Sequence, residues 1–100
     1  MRKLFIKPLA RLDLLQIWLH IAQASVPTAI RIGDELDAAI QGLCEMPGKG
    51  HMRADVKDTR LRFWSVYSYV IAYRYDDHSL TVLRVVHGRR DMRRLFRKKS

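Results

Sequence analysis

One hundred residues, 48% hydrophobic, 9% aromatic and 29% charged, have the composition of an ordinary folded chain, which excludes a disordered or low-complexity one. The length predicts a single domain over residues 1–100. The formal charge of +9 sits wholly in the second half: residues 1–47 carry five basic and five acidic side chains, residues 48–100 the other fourteen basic and five acidic ones. Such one-sided basic charge attracts nucleic acid, an acidic partner or an anionic membrane surface.

In chain order, residues 2–7 read as a short strand stopped by Pro8, which suits the first turn of a helix. From Leu9 to about Gln23, Ala10, Leu14, Ile17, Trp18 and Ile21 recur at helical spacing, and Leu9, Leu12 and Leu15 make this helix apolar on more than one side. Ser25-Val26-Pro27 stops that helix and starts another, to about Glu45, with Ala29, Ile32, Leu36, Ala39, Ile40 and Leu43 inward. Met46-Pro47-Gly48-Lys49-Gly50 ends it. Residues 47–59 lack apolar periodicity, and a loop of that length is more often functional than idle. Lys49, Arg53 and Lys57 make it basic.

From Arg60 the period changes to two, with Leu61, Phe63 and Ser65 on one face and Arg62, Trp64 and Val66 on the other. Residues 69–75 and 80–86 are two further strands around the turn Asp76-Asp77-His78-Ser79. On the last strand, alternation places Leu80, Val82 and Val86 on one side and Leu83 and Val85 on the other. A helical layer covers one face of a sheet, so the second needs either a terminal helix or another chain. After Gly88 a short helix presents Met92, Leu95 and Phe96 on one face and arginines around the rest. The expected fold class is α+β in two layers: an N-terminal strand, an antiparallel helical hairpin, a three-stranded antiparallel meander and a short basic C-terminal helix.

The lone Cys44 excludes an internal disulfide and fits a reducing cytoplasm as a buried, inert thiol. No apolar run approaches the roughly 20 residues of a membrane span, and the start lacks the roughly 7 to 15 apolar residues of a signal peptide, so no membrane partner is expected. His20, His51, His78 and Cys44 show no ligand spacing; no metal or cofactor is expected. His87 beside Gly88 reads as a structural hydrogen-bonding group before it reads as a base, and Asp91 as a helix cap. Trp18 and Trp64 read as core or interface anchors.

Ala10-x-x-Asp13-Leu14-x-x-Ile17-Trp18, Met46-Pro47-x-x-Gly50, Tyr69-Val70-Ile71-x-Tyr73-Arg74 and Val85-Val86-His87-Gly88-Arg89-Arg90-Asp91, in that order, resemble the RelE/ParE superfamily of type II toxins. The resemblance implies a toxin with a cognate antitoxin that wraps a segment around it. RelE-type members cut mRNA on the ribosome; ParE-type members inhibit DNA gyrase. RNA cleavage through the 2′-hydroxyl needs proton acceptors, proton donors and cations around the phosphate. RelE assigns these roles to two Lys, two Arg and a Tyr. Aligned from Gly88, one Arg position is kept as Arg90 while the Tyr position falls on Phe96. Aligned from Tyr69 and Tyr73, the other Arg position falls on Val70 and the two Lys positions on Leu61 and Phe63.

The resemblance therefore implies a ParE-like toxin with no catalytic residues, whose target-binding set is Arg89, Arg90, Arg93, Arg94 and Arg97 and whose antitoxin contacts are Leu12, Leu15, Leu83 and Val85. The alternative is a ribosome-dependent mRNA interferase using His87, Arg90, Arg62 and Lys57. A plain basic nucleic-acid-binding module leaves the motif order unexplained.

Overall fold

The computed structural model describes residues 2–97. Its elements are β1 (Lys3–Ile6), α1 (Pro8–Ala22), α2 (Val26–Glu45), β2 (Arg62–Val66), β3 (Tyr69–Tyr75), β4 (Ser79–His87) and α3 (Met92–Leu95). The expected order holds, with boundaries moved by one or two residues. Pro8 opens α1, where its missing N–H would have been unpaired in any case. Ser25 caps α2 by accepting a hydrogen bond from the Thr28 N–H.

The strands form one four-stranded sheet in the order β1-β4-β3-β2. β2, β3 and β4 are the expected meander, and the N-terminal strand adds a fourth, parallel to β4, with Lys3–Ile6 opposite Ser79–Val82. The fold is thus α+β with a mixed sheet. β2 and β3 are joined through Tyr67, the one described non-glycine residue at positive φ, 55°.

One face of the sheet carries the helical hairpin. Ala10 of α1 and Ile32, Leu36, Ile40, Leu43 and Cys44 of α2 pack there on Ile71, Tyr73, Leu80, Val82 and Val85. Leu14, Ile17, Ile21 and Trp64 close its margin. The opposite face holds a second core, in which Leu61, Phe63, Val70, Ala72 and Val86 meet Val56 of the loop and Met92 of α3, with Leu83, Leu95 and Phe96 at the edge. Of the two covers expected for this face, a terminal helix or another chain, the terminal helix supplies part, and the long loop, not expected there, supplies the rest. The loop, read from the sequence as functional, also has a structural part: it contributes Val56 to this core, and His51 exchanges backbone hydrogen bonds with Phe63.

Simple alternation misassigns the last strand. Ala72 is opposite Arg84 and Tyr73 opposite Val82, so Leu83 is an extra residue and the phase slips there. Val85 consequently faces the hairpin and Val86 the second core, the reverse of the expected arrangement.

Candidate functional site

The slip in β4 creates a densely bonded, buried polar site. β1 ends opposite Val82, so the Val85 N–H points past the end of its neighbour strand. Asp13, one turn into α1 and 9% exposed, reaches across to accept that N–H at 3.0 Å. The same carboxylate takes the Arg84 guanidinium in a two-pronged pair, Nε to Oδ2 at 2.7 Å and Nη2 to Oδ1 at 2.9 Å. That bonding holds the Arg84 guanidinium above its ordinary pKa. A buried carboxylate with three donors is a satisfied structural clamp, and it fixes α1 against β4.

The His-Gly-Arg-Arg-Asp segment is likewise built for turning. The Gly88 N–H donates to the Ser68 carbonyl at 2.8 Å, the Arg90 N–H to the His87 carbonyl at 3.0 Å, and the Arg89 N–H to His87 Nδ1 at 3.1 Å. Asp91 then caps α3 through the Arg94 N–H at 3.3 Å. The motif swings the chain from β4 over the second core, so His87 and Asp91 have the structural roles read from the sequence.

The expected target-binding arginines are all exposed and form no ion pair among the described residues. They do not share one surface. Arg90 lines an open cleft with Gln16, His20, Tyr69 and His87, whereas Arg93 and Arg97 line a second one with Lys57 and Phe96. Lys98 and Lys99 of the same basic run lie outside the described residues.

Of the expected antitoxin contacts, Leu12 and Leu15 stand on the outer side of α1, 47% and 53% exposed, beside Leu9 and Leu19. Leu83 is half-buried at the edge of the second core. Val85 is a correction: it is 1% exposed, inside the main core, and has no surface to offer a partner. The sequence signal that would have exposed this error is absent, because the extra residue at Leu83 appears only in the pairing with β3.

The alternative catalytic set does not converge. Lys57 lines one cleft and His87 with Arg90 another. Arg62 is in register with Tyr73, on the side of β2 that carries Trp64 and Val66 toward the hairpin. What does converge is the set of aligned RelE-type positions. Leu61, Phe63, Val70 and Phe96 all meet in the second core, with the Phe63 and Phe96 rings edge to face at 5.6 Å. Their clustering supports the ungapped alignment, and all four are apolar, three of them buried and Phe96 half-buried at the margin.

The family model for the ParE toxin of the type II toxin-antitoxin system, parDE, matches residues 4–92. The chain belongs to the ParE toxin family. Among solved structures, a chain of the chromosomal ParDE TA system from P. aeruginosa is similar, with a TM-score of 0.73 at 18% identity, covering 87% of this chain and 96% of that one. At this identity the likeness speaks to the fold: this ParE-family chain has the RelE/ParE-like architecture. No curated protein matches. The family places the chain in a type II toxin-antitoxin system and so implies an antitoxin partner. No helix among the described residues is long and apolar enough to cross a membrane.

Proposed function

We propose that this ParE-family toxin acts in the cytoplasm by binding DNA gyrase and blocking replication, and that its cognate antitoxin neutralises it by covering the outer face of α1. The observation that carries the reading is this apolar cluster. Four positions at which a RelE-type nuclease keeps its cations and its tyrosine are Leu61, Phe63, Val70 and Phe96, packed together under α3. An apolar core transfers no protons and stabilises no phosphorane charge, so the site favours occlusion of a target over cleavage. Arg89, Arg90, Arg93, Arg94 and Arg97 supply exposed cations, spread over more than one surface, for acidic patches of a target. Leu12, Leu15 and Leu19 are exposed on the outer side of α1, an apolar surface of the kind that a partner helix covers.

Induction of the chain in cells is expected to raise the SOS response and produce filaments while translation continues, and the purified protein is expected to inhibit supercoiling by gyrase. Early arrest of translation with mRNA cut at codons would sink the gyrase reading. Co-expression of the antitoxin is expected to restore growth, and Leu12→Glu/Leu15→Glu to remove that rescue without removing toxicity.

A further inference from the structure

We propose that the cleft between the long loop and α3 binds the phosphodiester backbone of single-stranded nucleic acid. This cleft, of about 680 Å³, is lined by Ala54, Asp55 and Lys57 on the loop side and by Arg93, Phe96 and Arg97 on the other. Its cations come from two walls. Lys57, Arg93 and Arg97 have no ion pair among the described residues. The one acid lining it, Asp55, is matched chiefly by Arg53, whose Nε and Nη2 each sit 2.9 Å from a carboxylate oxygen, with a weaker attraction to Arg93. The space therefore keeps a net positive field, and every phosphate seated there releases condensed counterions.

Phe96 decides between anions. A half-buried aromatic side chain beside a row of cations offers a nucleobase a stacking surface while the backbone meets the charges. A run of acidic side chains gains the charges alone. A single strand presents its bases to such a ring, whereas a duplex keeps its bases stacked inside. It also holds no ready means of cutting that strand, since the aligned catalytic positions beneath it are filled with apolar groups. The cleft works as a holder. This site does not require gyrase as the target, and its test uses the chain alone, so the two readings fail separately.

The test is fluorescence anisotropy of a short labelled oligothymidylate with the purified full chain across a salt series. Three phosphates neutralised predict a slope of log K against log salt of about −2, or roughly 16-fold weaker binding from about 50 mM to about 200 mM salt. Arg93→Ala/Arg97→Ala is expected to reduce the slope to about −0.7 and Lys57→Ala to about −1.4, with unchanged thermal melts. Arg89→Ala/Arg94→Ala removes the same charge from the same tail outside the cleft and is expected to cost distinctly less. Equal losses in the two double variants would assign binding to diffuse charge and overturn the proposal. So would the absence of binding at low salt, or tighter binding of a polyglutamate peptide carrying the same charge.

Discussion

Under the helical hairpin the sheet is roofed by two helices of 15 and 20 residues, whereas on the opposite face a four-residue helix and a loop close the second core. The first roof is built from helices long enough to hold an amphipathic stripe. The second is not: one turn of helix is far below the roughly 12 to 15 residues at which an isolated helix becomes marginal, so α3 exists because Met92, with Leu95 and Phe96 at the edge, packs on the sheet. The neutral half of the chain builds the durable side and the basic half the lightly held one. Segments that must meet a partner are drawn from the low-stability end of a structure, so charge and marginal order coincide where binding is proposed.

The largest test of this contrast is a pair of truncations. Leu43 and Met92 are both essentially fully buried, one on each face. Leu43→Ala is expected to cost about 4 kcal/mol and to lower the urea midpoint of the whole molecule. Met92→Ala is expected to cost about 2 to 3 kcal/mol, with the amides of residues 88–97 exchanging long before those of β3 and β4. Equal midpoint losses with no early exchange would show that the two covers are equally integral.

Asp13 belongs to both regions, because it fixes α1 to the strand that then leads into α3. Asp13→Ala strands a guanidinium and a backbone N–H, Arg84 being only 20% exposed in its side chain, and is expected to cost about 3 kcal/mol in urea unfolding. Asp13→Asn keeps an acceptor for Val85 and is expected to recover part of that loss. If the alanine variant costs under about 1 kcal/mol, the clamp is an ordinary surface pair.

How far the sequence showed this in advance follows the same division. Period and punctuation located every element: Pro8, Ser25 and the Pro47-Gly48 break are local signals, and the helix-two stripe from Ala29 to Leu43 is the buried one. Motif resemblance gave the family. What was hidden is tertiary. Asp13 was visible as a motif residue, but its role depends on an unpaired N–H at Val85, which depends in turn on the slip at Leu83. The error at Val85 has the same origin, since a period of two cannot register an inserted residue. The five arginines were grouped as one target-binding set, yet a chain reversal at Gly88 and a single helical turn send Arg90 to one cleft and Arg93 with Arg97 to another.

Tyr73 supplies the smallest and most selective test, because it faces the hairpin core while its hydroxyl anchors the loop that serves the other face. The buried hydroxyl donates to the Pro47 carbonyl and accepts the Gly50 N–H at 3.1 Å. Gly50 is required by that approach, since a Cβ there would overlap the hydroxyl oxygen. Tyr73→Phe keeps the ring and leaves two backbone groups unpaired, at an expected cost of about 1 to 2 kcal/mol. Burial pushes the Tyr73 phenol above its ordinary value. A raised folded pKa means that the unfolded chain loses its proton first, so stability is complete below about pH 10 and declines as pH rises through the folded value. The wild-type protein should therefore weaken on an alkaline limb, and Tyr73→Phe should show a shallower one, Tyr67 having a raised phenol of its own through Glu35. Urea midpoints from pH 8 to pH 11 read the difference. Parallel limbs in the two proteins would mean that the hydroxyl is not closed off beneath the loop, and that the hairpin side does not hold the loop in place.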